Sequence, residues 1–225
     1  MTARYNANYL GAKAQAAPLI IGHMPRHTTY IEGFLGSGQI MNRKPPAPVT
    51  IGIESNAAVA AAYDYPAGAQ IITGCAIDYA AQTTIAPPKD PLYYFDPPYH
   101  PDTRTSAAGY AHDMTDGDHR RLLSALNALD GNVMLSGYNC ALYERELSGW
   151  RRVDYDIMTR GGSRVESLWM NFPQAEPYHH TQAGSNKTQR QQIKRKAARW
   201  AGFYRDMSQG ERLAIRAALA GVDAE

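Results

Sequence analysis

A chain of 225 residues, 44% hydrophobic and 20% charged, can bury one good core with an appendage and is too short for two full domains. No apolar run approaches membrane-span length, and Met1-Thr2-Ala3-Arg4-Tyr5 lacks the apolar core of a signal peptide, so a cytoplasmic protein with no membrane partner is expected. The net charge of +2 hides an asymmetry: residues 187–225 hold nine Lys/Arg against four Asp/Glu, a net +5 that leaves −3 on the remainder. A basic tail on a mildly acidic body suggests a polyanionic partner. Cys75 and Cys140 are far apart and lack metal-type spacing. His23 and His27 have i,i+4 spacing, but Pro25 interrupts the helix that spacing needs, and no metal is expected.

In chain order, Ala14 to Met24 predicts a helix despite Pro18, and Lys13 reads most simply as an exposed first-turn lysine, although it could point at a carboxylate. Thr28 to Glu32 has a strand pattern. Gly33-Phe34-Leu35-Gly36-Ser37-Gly38 follows, with a short helical run from Gln39 to Arg43. A strand, a glycine loop and a helix start let a nucleotide-like ligand approach the backbone. Beyond the Lys44-Pro45-Pro46-Ala47-Pro48 connector, Val49 to Ile53 forms a second strand ending in Glu54, ahead of an alanine-rich helix from Asn56 to Tyr63. An acid at that point takes a ribose hydroxyl or stabilises the helix dipole. Gln70 to Thr73 is a third strand, and only seventeen residues separate Asp78 from Asp96.

Leu92 to Phe95 then form a buried-strand pattern that ends in Asp96-Pro97-Pro98-Tyr99. Two prolines leave a turn rich in carbonyl acceptors and poor in competing donors. Such a pocket suits an exocyclic ring amine: Asp96 and the Pro97 carbonyl accept its two hydrogens, Pro98 stiffens the turn, and Tyr99 lies against the ring. Accepting both hydrogens aims the nitrogen lone pair at an electrophile. Alone, the same four residues would read as a surface turn.

Pro101 to Asp113, containing Tyr110, is read as a loop beside the pocket. A helix follows with Thr115 as N-cap, Asp118 completing a capping box, Leu122, Leu123, Leu126 and Leu129 on its buried face, and Gly131 at its end. Val133 to Ser136 is a strand and Cys140 to Leu147 a short helix. Trp150 to Ile157 and Ser167 to Phe172 form an antiparallel final hairpin. Its Thr159-to-Arg164 tip, with Arg160 and Arg164, is balanced between a phosphate contact and a solvated turn. Residues 1–178 make the main domain and 179–186 a linker. Residues 187–225 make a basic helical tail, with Ile193, Ala197, Trp200 and Tyr204 at helical spacing and a last helix from Gln209 to Ala220.

Tyr9-Leu10-Gly11-Ala12-Lys13, Glu32-Gly33-Phe34-Leu35-Gly36-Ser37-Gly38 and Asp96-Pro97-Pro98-Tyr99, in that order, resemble the adenine-specific DNA methyltransferases of the DNA adenine methylase type. The resemblance covers roughly residues 5–172, and Arg164 to Phe172 looks like the closing strand of small phage and prophage members. It implies an α/β Rossmann-like fold, a mixed seven-stranded sheet with helices on both faces. The implied reaction is metal-free methyl transfer from S-adenosylmethionine to the N6 amine of a flipped adenine in double-stranded DNA, as in restriction-modification. By resemblance, Asp96, Pro97, Pro98 and Tyr99 are catalytic. Tyr9, Lys13, Glu32, Phe34, Gly36, Ser37, Gly38, Glu54, Ser55, Cys75, Ala76, Asp78 and Asp96 surround the cofactor. Gly33 stands where the family has proline, which is expected to loosen the loop slightly.

Relatives carry a target-recognition domain between the positions of Asp78 and Asp96, and this chain has no room for one. Reading the DNA then falls to Tyr110 and its loop, to Arg160 and Arg164, to Lys187, Arg190, Lys194, Arg195 and Lys196, or to a partner: a second copy or a separate specificity chain. Two alternatives stand beside the main reading. One is methylation of adenine in RNA, or of the cytosine N4 amine; the other is a degenerate homologue that only binds nucleic acid.

Overall fold

Thr29–Gly33 (β1) and Pro91–Phe95 (β4) lie side by side at the centre of a seven-stranded sheet. The computed structural model describes residues 13, 15–83, 88–103, 113–159, 162–174, 183–184 and 186–222. Around the central pair come Val49–Glu54 (β2), Gln70–Thr73 (β3), Asn132–Gly137 (β5), Arg151–Thr159 (β6) and Gly162–Met170 (β7). The order is β3-β2-β1-β4-β5-β7-β6, parallel up to β5 and antiparallel at β7 and β6. This is the Rossmann-like mixed sheet with a closing antiparallel hairpin.

Strand alternation sorts the core onto two faces. Ile31, Tyr93, Phe95, Val133, Leu135 and Trp169 share one cluster, and Tyr30, Leu92, Tyr94, Met134, Leu168 and Met170 the other. Ala17–Gly22 (α1) covers the second face through Ile20 and Ile21. This helix is shorter than its Ala/Leu/Ile pattern predicts, and Pro18 sits in its first turn, where a missing N–H costs nothing. Ala57–Ala62 (α2) follows β2, with Asn56 as its N-cap.

Ala76–Thr83 (α3), Asp116–Ala128 (α4) and Ala141–Glu146 (α5) cover the first face. Thr115 and Asp118 form the expected capping box on α4. Leu122, Leu123 and Leu126 are fully buried, each stabilising by about 1.5–3 kcal/mol. The α3 helix was absent from the sequence reading. It buries Ala76, Ile77 and Ala80, and alanine is too weakly apolar to mark a stripe.

Two further expectations change. Gln39 to Arg43 forms hydrogen-bonded turns (Asn42 N–H to Gly38 O, 2.9 Å) and no helix, because a single turn before Lys44-Pro45 is too short to nucleate one. The final hairpin is longer than predicted: Thr159 pairs with Gly162 and Ile157 with Arg164, so Arg164 is a strand residue and no part of the tip.

The chain divides into two compact units, Met1–Tyr178 and His179–Glu225. In the second, Lys187–Asp206 (α6) is capped by the Asn186 side chain, and Gln209–Val222 (α7) begins with reciprocal bonds between Ser208 and Glu211. This helix runs two residues past the expected end at Ala220, with Gly221 inside it. Trp200 and Phe203 remain more than half exposed, and α7 buries no residue. Among the described residues, no helix is long and apolar enough to cross a membrane.

Candidate active site

The strand order reverses direction between β1 and β4, and a cavity of about 540 Å³ opens there. Open α/β sheets bind ligands at this switch point, outside the carboxyl ends of the strands. The glycine loop supplies Phe34, Gly36 and Ser37 to the wall, the end of β2 supplies Glu54 and Ser55, and the start of α3 supplies Cys75 and Ala76. Lys13, Glu32, Asp96, Pro97, Pro98 and Tyr99 complete the side nearest the centre of the sheet.

Gly33 is the last residue of β1, paired with both Ile53 and Phe95. A Cβ there would stand 2.4 Å from the Phe95 ring, so glycine at the end of β1 is a packing requirement. Phe34, Gly36 and Gly38 all take positive φ, at 57, 52 and 61°, which curls the backbone into the cavity wall. The Gly36 N–H donates to Glu54 Oε2 at 2.8 Å, and the Asn56 N–H donates to Glu54 Oε1 at 2.9 Å. Glu54 therefore ties the glycine loop to the start of α2. A carboxylate offers about four lone-pair sites, so these bonds do not exhaust it. Tyr65 props the loop from outside, its hydroxyl donating to the Gly36 carbonyl at 3.1 Å. Gly38 packs against the Tyr65 ring and does not line the cavity.

Next to the Asp-Pro-Pro-Tyr turn lies a buried charge cluster. Lys13 Nζ sits 2.9 Å from Asp96 Oδ1 and 2.8 Å from Glu166 Oε1, and donates to the Tyr99 hydroxyl oxygen at 3.0 Å. Tyr99 in turn donates to Glu166 Oε1, and Tyr155 donates to Glu166 Oε2 at 2.8 Å. Lys13 is 6% exposed and Glu166 is fully buried, which overturns the exposed-lysine reading. Burial works against the Lys13 ammonium, but Asp96, Tyr99 and Glu166 outweigh it and hold the amine well above the usual lysine range. Burial pushes the Asp96 carboxyl up to about 6, with Lys13 opposing and Glu166 adding to the rise. The Tyr99 hydroxyl is raised too, chiefly by burial, and stays neutral.

Glu32, at the end of β1, accepts from Tyr30 at 2.8 Å. Burial pushes it up to about 8, so it is mostly protonated at neutral pH.

The remaining expected residues distribute as follows. Asp78 does not line the cavity; it sits in the first turn of α3, where its carboxylate takes a 2.8 Å bond from Arg121, which does line it. The Arg164 guanidinium lies 4.5 Å over the Tyr138 ring and donates to the Thr103 carbonyl at 3.1 Å. Tyr138 itself is 4.3 Å from the Tyr99 ring, so Arg164, Tyr138 and Tyr99 form a chain of planar groups. On α6, Lys194, Arg195 and Lys196 are exposed, while Arg190 reaches the Gly184 carbonyl. Lys187 is the first residue of α6. Tyr9, Tyr110 and Arg160 lie outside the described residues.

Sequence reasoning missed Glu166, Tyr155, Tyr138, Tyr65 and Arg121. For Glu166 a signal existed: it has the same strand parity as Leu168 and Met170, both fully buried. An acid on the apolar face of a strand needs a partner.

No protein-family profile matches the sequence, and no curated protein does. Solved structures do. A SAM-dependent methyltransferase of Agrobacterium tumefaciens is 9% identical, over 70% of this chain and 60% of that one, with a TM-score of 0.44. The chain thus spans less than two thirds of that structure. A precorrin-6y C5,15-methyltransferase of Geobacter metallireducens is 11% identical over 73% and 94%, with a TM-score of 0.44. An rRNA methylase of Streptococcus thermophilus is 6% identical over 71% and 95%, also with a TM-score of 0.44.

Proposed function

We propose that this chain is an S-adenosylmethionine-dependent methyltransferase acting on the N6 amine of an adenine in DNA. The observation that carries the reading is Asp96, braced by Lys13 at the carboxyl end of β4 and followed by Pro97-Pro98-Tyr99, on the wall of a 540 Å³ cavity. Cavities of this size are typical of cofactor sites. The backbone approach at Gly36 and the unexhausted Glu54 carboxylate suit the cofactor's ribose end, beside Phe34, Ser37, Ser55, Cys75 and Ala76. Lys13 and Glu32 stand near the reacting end.

S-adenosylmethionine supplies a methyl group already activated by its sulfonium. The protein's part is to orient and polarise the acceptor. Asp96, when ionised, accepts one amine hydrogen and the Pro97 carbonyl the other, which frees the nitrogen lone pair. Tyr99 presents its ring to the base and Pro98 holds the turn. An adenine inside a duplex must leave the stack first, at a cost of a few kcal/mol. The basic second unit suits the phosphate contacts that offset that cost.

Labelled cofactor offered to duplex DNA, single-stranded DNA and RNA, with digestion to nucleosides, tests the proposal. N6-methyladenine in DNA is expected. Label found only in RNA, or only on cytosine, would replace the substrate and keep the chemistry. A chain that binds DNA and transfers nothing to any of the three would be a binder alone.

A further inference from the structure

We infer that Glu166 is a positioning residue for the transfer step, fixing Lys13 and Tyr99 so that Asp96 is braced and the stacking ring preset before a base enters. This rests on the methyltransferase reading above. A carboxylate with no solvent exposure is costly to keep unless each oxygen is satisfied. Here both are: Oε1 takes Lys13 and Tyr99, and Oε2 takes Tyr155 at 2.8 Å. Lys13 has three N–H donors, and Asp96, Glu166 and Tyr99 supply three acceptors. The ammonium is therefore oriented by groups from the end of β4, the following turn and β7 together.

The arrangement places one cation between two acids. Lys13 serves Asp96 directly, and Glu166 holds Lys13 there while tethering the Tyr99 hydroxyl on the same oxygen. Glu166 needs no contact with substrate to act in this way.

The test variant is Glu166→Gln, which keeps shape and removes the charge. In the wild type the groups acting on Asp96 are Lys13, Glu166 and Glu32, with the hydroxyls of Tyr94, Tyr99, Tyr143 and Tyr155 around them. Lys13 lowers the Asp96 carboxyl and Glu166 raises it. If Glu166 holds Lys13 in place, its replacement should release Lys13 and move the acid limb of kcat to higher pH. A shift to lower pH, from loss of the Glu166 charge alone, would overturn the inference. At the plateau, kcat should fall about tenfold with the KM for cofactor nearly unchanged, as expected when only transition-state geometry is lost. Tyr155→Phe removes one bond to Glu166 and keeps the charge; kcat should fall about twofold to threefold with the acid limb unmoved.

A second readout does not need the reaction. The 15N signal of the Lys13 ammonium should be visible in the wild type, through slow exchange in its buried cage, and broadened away in Glu166→Gln. An unchanged ammonium signal, or an unchanged pH profile and kcat, would overturn the inference. If the wild type transfers methyl to no nucleic acid while the ammonium signal still depends on Glu166, the methyltransferase reading fails and the caging role stands. If Glu166→Gln does not fold, Tyr155→Phe decides: wild-type kcat in that variant overturns the inference.

Discussion

Lys13 and Asp96 form an ion pair of 2.9 Å with side chains only 6% and 18% exposed, linking the residue ahead of α1 to the end of the central strand. Glu166 shares the same ammonium. Removing one partner from such a buried set leaves an uncompensated charge and costs about 3–5 kcal/mol. Lys13→Met should lower stability by that order and reduce methyl transfer at neutral pH. Lys13 is the group that opposes the rise of Asp96, so the acid limb of the variant's activity should move to higher pH. Thermal unfolding and a pH series on the same preparation measure both effects.

In the wild type, Asp96 must be ionised to accept an amine hydrogen, and burial places its carboxyl near 6. Methyl transfer should therefore rise with pH through about 6. Stability has the opposite sign. The folded state holds this proton more tightly than the unfolded chain, whose carboxyl titrates near 3.8. The contribution of Asp96 is thus fully present below that value and lost as pH rises through about 6. Glu32, raised to about 8, acts in the same direction at higher pH. Activity increasing while the melting temperature drifts down across this window is the expected pair of results.

Asp96→Ala should reduce methyl transfer at least about a hundredfold, the scale of losing one preorganised hydrogen-bond partner of the reacting group. The basic second unit is untouched, so DNA affinity should remain within about twofold by anisotropy. Normal transfer by this variant would refute the assigned role of the turn.

Gly33→Ala puts a Cβ 2.4 Å from the Phe95 ring and 3.2 Å from Ala76 Cβ. Overpacking of this kind costs about 1–3 kcal/mol. Phe95→Leu in the same chain should recover part of the loss, giving a favourable coupling energy in a double-mutant cycle. Additive losses would mean the two side chains do not compete for this space.

Much of the sheet was legible locally. The strands β3, β4 and β5 show short apolar runs bounded by turn residues, and the Thr115–Asp118 box announces α4. The glycine loop, Glu54 and Asp96 could be placed around one cavity because parallel strands bring their carboxyl ends together. The charge cluster was not legible. Lys13 and Glu166 are 153 residues apart; the Tyr9-to-Lys13 motif marks Lys13 only by resemblance, and nothing near it points to Glu166. The helix at Ala76–Thr83 escaped for another reason: alanine packs against α4 without the periodic contrast that leucine gives. The packing role of Gly33 was not legible because a glycine required by a neighbouring ring looks, in sequence, like any other loop glycine.

The second unit carries the last prediction. Lys194, Arg195 and Lys196 stand exposed on α6, with no acid in this helix before Asp206. If they contact phosphates, each releases counterions on binding, and the logarithm of affinity falls by about 0.9 per contact for each decade of salt. Replacing all three with Gln should weaken duplex binding at low salt and make the salt slope shallower by about 2 to 3. Which adenines are methylated should not change, since phosphate contacts carry no base information. Binding titrations at several salt concentrations, together with mapping of methylated positions, measure the two effects separately. A changed methylation pattern with an unchanged slope would assign α6 to base reading instead.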